Sequence, residues 1–169
     1  MDGINLIQPN SVPHFSFGHF RLKSPRDDIQ SKFLELIGSA QESIYIMIYG
    51  FHLPALTDLL IAKHQAGLDV RLILDLSQSK GKAESEEVQK LKDAGLNLII
   101  GTSPVAHQIM HEKETIIDGK RVLSGSWNYS LSAQKQVNHM DFFYSKEMAA
   151  DSIFDFNQLW QEILAEGHK

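Results

Sequence analysis

Apolar residues in the first hundred positions recur with two different periods, and the period changes several times along the chain. A helix is predicted to begin with Ser24 as its cap and Pro25 at its first position, because apolar residues follow at positions 29, 33, 36 and 37. Residues 43–49 have the pattern of a buried strand, since isoleucines alternate there with tyrosines and a methionine. Residues 25–49 are thus predicted to form one helix followed by one strand.

The alternation of helix and strand continues after Pro54. A second helix is predicted from Pro54 to Gly67, followed by a strand over residues 70–76, a third helix over 84–94 and a further strand over 96–100. Strands that alternate with helices favour a sheet of parallel strands covered on both faces. The predicted fold is therefore α/β, with a mostly parallel mixed sheet and helices on both faces.

The two ends of the chain add less to this prediction. Residues 1–24 have no clean period, and only a short strand near residues 14–17 is predicted there. A closing helix is predicted over residues 153–164. Because 169 residues suffice for one sizeable core and are too few for two ordinary domains, residues 1–169 are predicted to form a single domain.

A β-hairpin is predicted over residues 111–124, with Asp118 and Gly119 as its tight turn. Side chains on a strand alternate between its faces, so His111 and Lys113 are expected to point to the same side at the open end of the hairpin. After the return strand, Gly125 lets the backbone turn without a clash at Cβ.

Ser126 and Asn128 follow that glycine and again share a side, so an imidazole, an ammonium, a hydroxyl and an amide are expected to converge. Such a set suits a phosphate diester. The imidazole of His111 can act as a nucleophile or move a proton, and the other three groups can donate to the phosphoryl oxygens. The set contains no carboxylate cluster that would hold a metal, so the sequence predicts no cofactor and no metal.

The spacing His111-x-Lys113-x-x-x-x-Asp118, followed by Gly125-Ser126-x-Asn128, resembles the signature of the phospholipase D superfamily. The order of elements from about residue 25 onward is similar as well, and it is most like the single-motif nuclease branch of that family. The resemblance implies a phosphodiesterase in which His111 attacks phosphorus to give a phosphohistidine, while Lys113, Ser126 and Asn128 stabilise the phosphoryl oxygens.

The resemblance also implies partners. A second histidine is needed to protonate the leaving oxygen, and single-motif relatives suggest a homodimer with a shared active site. Nucleic acid, either DNA or RNA, is the preferred substrate. The alternatives are a phospholipid hydrolase of the cardiolipin type and a non-catalytic nucleic-acid-binding or assembly module.

Two acids complete the candidate site, Asp118 and Asp141. Asp118 matches the acid of the motif, but its place in the hairpin turn favours a structural role. In the family an orienting acid commonly follows as Asn-x-Glu. Here residues 138–141 are Asn-His-Met-Asp, so Met140 occupies the acid position and Asp141 comes one residue later. Asp141 would reach the site only through a one-residue bulge.

Three further features have simpler interpretations. His107 and His111 have the spacing of two zinc ligands on a helix, but Pro104 and the following strand argue against a helix there. Trp127 is expected to pack in the core, because it faces away from its two neighbours. Residues 77–82, which include two lysines, are expected to form a solvated linker in preference to a phosphate-binding loop.

Composition narrows the class of protein. The net charge of −5 argues against a broad basic surface, although a local basic site is compatible with it. The absence of cysteine excludes disulfides, and no apolar run approaches the ~20 residues of a membrane span. No secretory signal is visible at the start, so a cytoplasmic protein is expected.

Overall fold

The structure is a computed structural model that describes residues 18–166. The strand predicted near residues 14–17 lies outside the described residues. Within them, none of the helices has both the length and the apolar character needed to cross a membrane.

The described residues form strands and helices that alternate over the first two thirds of the chain. The helices are α1 (Ile29–Gly38), α2 (Pro54–Gln65), α3 (Lys82–Asp93) and α4 (Lys146–Glu166), with a short 3-10 helix at Ala133–Lys135. The strands are β1 (Gly18–Ser24), β2 (Ser43–Ile48), β3 (Phe51–His52), β4 (Asp69–Asp75), β5 (Asn97–Gly101), β6 (Lys113–Ile117), β7 (Arg121–Gly125), β8 (Tyr129–Ser130) and β9 (Asn138–Tyr144).

Seven of these strands form one mixed sheet in the order β1-β9-β7-β6-β2-β4-β5, and β3 pairs with β8 in a separate two-stranded ladder. Helical crossovers make β2, β4 and β5 parallel, because a chain that returns through a helix starts its next strand at the same end. The other pairings in the large sheet are antiparallel. The α/β fold with a mixed sheet is confirmed, but its parallel part is limited to three strands.

Helices cover both faces of the sheet, as predicted. On one face, apolar side chains of α1, α2 and α3 pack with those of β2 and β4 around the buried rings of Phe33 and Trp127. On the other face, α4 buries Phe156 and Ile163 against Ile73 of β4. Burial of this apolar surface is the main stabilising contribution to the fold.

The first helix begins later than its sequence signal indicated. Ser24 remains in β1 and pairs with Asn138, and its hydroxyl donates to the Gln136 carbonyl oxygen at 2.8 Å. The cap of α1 is instead Asp28, whose carboxylate accepts the Ser31 backbone N–H at 3.0 Å. Pairing with β9 therefore overrides the local Ser-Pro signal at residue 24.

The hairpin and its turn were predicted correctly, except that the first strand begins at Lys113, so His111 and Glu112 precede it. Strands β6 and β7 pair with Ile117 opposite Arg121, and the Lys120 N–H donates to the Ile117 carbonyl at 3.2 Å. Asp118 and Gly119 both have positive φ, at 52° and 57°, as a type I′ turn requires. The antiparallel pairing of β6 with β2 places the start of β6 beside the end of β2, where Ile48 pairs with Lys113.

Candidate active site

The candidate site lies where β2 ends, and Tyr49 is the residue that joins its parts. The Tyr49 N–H donates to the Glu112 carbonyl at 2.8 Å, which ties the end of β2 to the start of the hairpin. The ring of Tyr49 lies 4.6 Å from the His111 ring between centroids, and Lys113 Nζ lies 5.1 Å from the Tyr49 centroid. One aromatic side chain thus contacts both the imidazole and the ammonium.

Lys113 is unusual for a lysine because it is buried, with 6% of its surface exposed. Its Nζ donates to the His111 carbonyl at 2.8 Å and faces the Tyr49 ring. Burial lowers the pKa of Lys113, since the charged ammonium is removed from water. An ammonium held in this way can stabilise negative charge on a phosphoryl group more effectively than one on a solvated lysine.

Asn128 lies just before β8, and its side chain packs closely against the backbone of Gly50. A Cβ built on Gly50 would lie 3.2 Å from both Cγ and Oδ1 of Asn128, and the Tyr129 N–H donates to the Gly50 carbonyl at 3.0 Å. Among the described residues, buried Asn128 Oδ1 has no hydrogen-bond partner. This oxygen is therefore available to accept a hydrogen bond from water or from a ligand.

Ser126 completes the motif at the end of β7. Its Oγ donates to Asn138 Oδ1 at 3.1 Å, accepts the His139 N–H at 3.1 Å and lies 3.4 Å from His139 Nδ1. Gly125 is required for this approach, because a Cβ there would collide with the His139 backbone oxygen. The reason for the glycine is thus the close approach of β9, since the backbone of Gly125 itself has no positive φ.

Four of the predicted site residues, His111, Lys113, Ser126 and Asn128, are therefore placed at the same end of the sheet. Tyr49 contacts the first two, and its neighbour Gly50 contacts Asn128. Neither Tyr49 nor Gly50 was singled out from the sequence. The available signal was their position directly after a buried strand, where functional side chains often stand.

The structure does not bring Asp118 to this cluster. Asp118 lies at the turn end of β6, five residues and about 16 Å of extended strand from Lys113. Its Oδ1 accepts the backbone N–H groups of residues 41, 42 and 43 at 2.8–3.2 Å. Burial alone would raise the pKa of Asp118, but these three N–H groups and the charge of Lys120 outweigh it and hold the pKa below its usual value.

Asp141 is placed without the bulge that its predicted role required. It pairs in regular register with Ser124 on one side and Arg21 on the other. Met140, the preceding residue, is fully buried in the core on the face that α1–α3 cover, so Asp141 points to the opposite face.

Basic side chains surround the Asp141 carboxylate on that face. Arg21 donates to it through Nε and Nη2, both at 2.7 Å, His19 Nε2 lies at 2.7 Å and His139 Nε2 at 3.8 Å. The hydrogen bond from Arg21 lowers the pKa of Asp141 most. Asp141 therefore neighbours the site through His139 and Ser126 and makes no described contact with His111.

Asp75, which the sequence analysis did not select, fixes the segment before His111. Its Oδ2 accepts the buried Met110 N–H at 3.0 Å, and its Oδ1 accepts the Ser77 N–H at 2.8 Å. Gln78 Nε2 then donates to the Tyr49 hydroxyl at 2.9 Å. The loop over residues 77–82, predicted as a solvated linker, is thus tied to the site, while its two lysines are exposed.

Glu84 is a second buried acid near the site, with 7% of its surface exposed. Its Oε2 accepts the Phe51 N–H at 2.9 Å, immediately after Gly50. Burial raises the pKa of Glu84 to about 7, with the nearby charge of Asp75 acting in the same direction and the Phe51 N–H acting against it. Glu84 therefore supports the short β3–β8 ladder that leads to Asn128.

The remaining sequence predictions concern metals and the core. Residues 106–112 are not helical, so His107 and His111 do not share a helix face, and His107 has a φ of 64°. Residues 18–166 contain no group of three or more potential metal ligands. Trp127 packs in the core as predicted, fully buried and 5.6 Å from the Phe33 ring between centroids.

Apolar side chains are exposed in the segments that adjoin the site. Val105 and Ile109 precede His111, Leu131 follows the β8 strand, and Val137 precedes Asn138; between 44% and 91% of each is exposed. Exposed apolar groups around polar chemistry indicate contact with a partner or an apolar ligand.

Comparison with known proteins identifies the family. A family model described as "Cardiolipin synthase, PLD-like domain" matches residues 33–160. "Phospholipase D" from Rickettsia prowazekii is 38% identical over 109 residues, which are 63% of this chain and 50% of that protein. "Mitochondrial cardiolipin hydrolase" from Chlamydomonas reinhardtii is 28% identical over 131 residues, which are 77% of this chain and 56% of that protein. The chain spans about half the length of these curated relatives.

The solved structures agree on the fold. Nuc from Salmonella typhimurium, a phospholipase D family member, has a TM-score of 0.79 to this chain at 24% identity, with 86% of this chain and 95% of Nuc covered. At that identity the likeness shows the fold alone. The resemblance inferred from the motif is confirmed by the family match, which spans most of the sheet and both halves of the candidate site. The chain therefore belongs to the family of phospholipase D-like domains.

Proposed function

We propose that this chain is a metal-independent phosphodiesterase that hydrolyses nucleic acid through a phosphohistidine formed on His111. The observation that carries the proposal is the contact of Tyr49 with both His111 and Lys113, next to the contact of Gly50 with Asn128. His111 is exposed and able to meet a substrate, whereas Lys113 is buried and desolvated. This combination suits attack on a phosphate diester whose developing charge is stabilised by fixed donors.

The reaction would proceed in two steps. An imidazole nitrogen of His111 forms a bond to phosphorus, and the bond from phosphorus to the leaving oxygen breaks as a second acid protonates that oxygen. Water then attacks the phosphohistidine, gives its proton to the same group and releases His111. Lys113, Ser126 and Asn128 would donate to the phosphoryl oxygens in both transition states.

A homodimer would supply the second acid. One chain contains a single histidine at the motif, and the exposed apolar residues next to it, Val105, Ile109, Leu131 and Val137, offer a surface for a second copy. An isologous two-fold interface would bring both copies of His111 to one phosphate. Under this proposal each histidine serves as nucleophile in one direction and as acid in the other.

A mixed dimer tests this assembly. Differently tagged wild-type and His111→Ala chains would be co-expressed and the heterodimer isolated. A shared site predicts activity far below half that of the wild-type dimer, because every site then lacks one imidazole. Half activity, or a fully active monomer in solution, would show that each chain has a complete site of its own.

A phospholipid substrate is the second candidate. The observations that favour it are the exposed apolar side chains beside the site and the names of the relatives, which are a phospholipase D and a cardiolipin hydrolase. The same catalytic groups would serve, because a phospholipid and a nucleic acid both present a phosphate diester. The two candidates differ in what surrounds the scissile bond.

A substrate panel separates the candidates. Labelled single- and double-stranded DNA, RNA and vesicles containing cardiolipin would be incubated with the wild-type chain, with His111→Ala and with His64→Ala as a matched control at the end of α2. Hydrolysis of nucleic acid that is lost only in His111→Ala supports the proposal. Hydrolysis of vesicles alone would establish the lipid enzyme, and no hydrolysis of any substrate would favour a non-catalytic binding or assembly module.

The proposal also predicts independence from metals. The site presents an ammonium, a hydroxyl and an amide, whereas metal-dependent phosphodiesterases gather carboxylates. Cleavage should continue in excess chelator. Loss of activity in chelator that a divalent cation restores would contradict the proposed chemistry.

A further inference from the structure

The edge of the sheet beside the site carries a row of basic side chains, which we name the β1 strip: His19, Arg21, Lys23 and His139. The first three alternate with Phe20, Leu22 and Ser24 along β1, so they share one face of the strand. His139 stands opposite Lys23 and Asp141 stands opposite Arg21 in the pairing of β1 with β9. The strip therefore lies on the face that Asp141 occupies, away from α1–α3.

The strip begins at the candidate site. His139 Nδ1 lies 3.4 Å from Ser126 Oγ, and Lys23 is the residue of β1 paired with His139. From Lys23 to His19 the strip extends four residues, or about 13 Å of strand. A strip of this length can contact more than one phosphate of a nucleic-acid strand.

Asp141 orients the strip and does not neutralise it. The buried carboxylate accepts two hydrogen bonds from one edge of the Arg21 guanidinium, so the remaining N–H donors of Arg21 point away from the carboxylate. The side chain of Arg21 is 48% exposed and that of His139 is 40% exposed. Arg21 and Lys23 carry two positive charges against the single negative charge of Asp141.

The surroundings make this local positive charge distinctive. The whole chain has a net charge of −5, so a polyanion would be repelled by much of the surface. Helix α4, which covers the same face of the sheet, packs on β2, β5, β6 and β7, and Arg21 and Lys23 at the β1 edge remain exposed. Asp27 also lies close to Lys23, because its carboxylate accepts the Lys23 backbone N–H at 2.8 Å, but its negative charge is paired with Arg26 at 2.8 Å.

We infer that the β1 strip binds the phosphates next to the scissile phosphate in a nucleic-acid strand, with His139 nearest the site and Lys23 and Arg21 beyond it. This inference rests on the proposed function, because it concerns how the same substrate continues past Ser126. Contacts of this kind position a strand without reading its sequence. The strip would therefore raise affinity for long nucleic acids of any sequence and would add nothing for a diester with a single phosphate.

Binding measurements test the strip independently of hydrolysis. His111→Asn would serve as the parent, to prevent turnover, and its affinity for a fluorescent 20-nucleotide DNA would be measured by anisotropy over a range of salt concentrations. Adding Lys23→Glu should weaken binding about tenfold or more and reduce the slope of log Kd against log salt by about one. Adding Lys92→Glu makes an equal change of charge in the last turn of α3, away from the β1 strip, and should change Kd less than twofold.

Lys23 is a suitable position because its exposed side chain has no described hydrogen bond, so the variant should keep its fold and its melting temperature. Arg21→Gln provides a second variant, in which the amide can still donate to Asp141. In the background with His111 intact, Lys23→Glu should leave hydrolysis of a chromogenic single-phosphate diester unchanged. If Lys23→Glu lowered the rate of hydrolysis of that diester as much as it lowered DNA affinity, the substitution would have damaged the site itself, and the inference about the β1 strip would be wrong.

The strip and the proposed function fail differently. If the DNA binds and Lys23→Glu weakens it, but the wild-type chain hydrolyses no nucleic acid, the strip stands and the nuclease proposal fails. Absence of DNA binding, or equal Kd values for parent and Lys23→Glu, overturns the strip even where hydrolysis is observed. If Lys23→Glu weakens binding to vesicles of anionic phospholipid and leaves DNA binding unchanged, the strip serves a lipid surface and the inference is wrong.

Discussion

The two ends of the β6–β7 hairpin carry residues of one sequence motif but have opposite physical character. At the turn end, Oδ1 of the buried Asp118 carboxylate accepts three backbone N–H groups from residues 41–43, and Oδ2, which has no hydrogen-bond partner among the described residues, lies 3.7 Å from Lys120 Nζ. At the open end, Lys113 is buried with one carbonyl partner, and Asn128 Oδ1 has no partner among residues 18–166. The Asp118 carboxylate is thus held by three N–H groups and one ammonium, whereas the polar groups at the open end have fewer internal partners.

The same contrast holds for two buried acids. Asp118 and Glu84 are both less than 10% exposed, yet the pKa of Asp118 is lowered and that of Glu84 is raised to about 7. Asp118 receives three N–H donors, while Glu84 receives one from Phe51 and lies near the negative charge of Asp75. The number of donors outweighs burial in one case and not in the other. The environment of Asp118 thus favours its charged form, whereas that of Glu84 favours its neutral form.

The largest effect is expected at the open end. Lys113→Met and Asn128→Ala should each lower kcat by about a hundredfold to a thousandfold, because each removes one donor to the phosphoryl oxygens. Lys120→Met, which removes a lysine at the turn end, should leave kcat within about twofold. The measurement is steady-state hydrolysis of a labelled diester, with melting temperatures to show that the variants are folded. Near-normal rates in both open-end variants would place the active site elsewhere.

The next effect concerns Glu84 and pH. Because its pKa is raised in the folded state, the stabilisation that its proton provides is complete below the ordinary value of 4.5 and is lost as pH rises through about 7. The full shift corresponds to about 3 kcal/mol. Glu84→Gln keeps an acceptor for the Phe51 N–H and cannot ionise, so its stability should fall less than that of the wild type between pH 5 and pH 8.

Denaturant unfolding at several pH values measures this difference. Glu86→Gln, at an exposed position of the same helix, is the matched control and should follow the wild-type pH profile. Identical pH profiles for the wild type and Glu84→Gln would show that Glu84 is ionised in the folded protein at little energetic cost.

A smaller effect on stability is expected at the turn end. Asp118→Ala should lower the free energy of unfolding by about 2 kcal/mol, because the N–H groups of residues 41–43 lose their acceptor and alanine disfavours the positive φ at this position. Asp118→Asn retains an oxygen acceptor and tolerates positive φ, so it should lose less. The kcat of the folded fraction should remain near normal in both Asp118→Ala and Asp118→Asn. A hundredfold loss of kcat in either variant would show that Asp118 acts in catalysis.

The smallest effect separates Asp141 from Met140. Asp141→Asn should lower kcat by about tenfold, because it weakens the contact that holds His139 beside Ser126, and it should do so more than Met140→Ala. Met140→Ala removes a fully buried side chain and should cost about 2–5 kcal/mol of stability, so rates must be compared per folded molecule. A larger loss of kcat in Met140→Ala would remove Asp141 from the mechanism.

The amino-acid sequence by itself determined the alternation of helices and strands between residues 29 and 101, the hairpin and its turn, and the family, but it did not predict β1, β3, β8 or β9. The predicted features depend on local information: apolar periodicity for the helices and buried strands, the Asp118–Gly119 pair for a turn with positive φ, and a motif whose spacing is fixed within one hairpin. The position of Trp127 in the core also followed from alternation alone. The start of α1 did not, because pairing of β1 with β9 outweighs the local Ser-Pro signal.

Tertiary structure alone decided which residues complete the site and what each acid does. Tyr49 and Gly50 join the two halves of the motif only because β2 lies between β4 and the hairpin in the sheet. Asp141 was assigned to the site because it lies one residue after the acid position of the family pattern, on condition of a bulge, but regular pairing turns it to the opposite face, where Arg21 from the other end of the chain binds it. The physical reason is that long-range strand pairing fixes the direction of each side chain, and that pairing is not contained in local spacing.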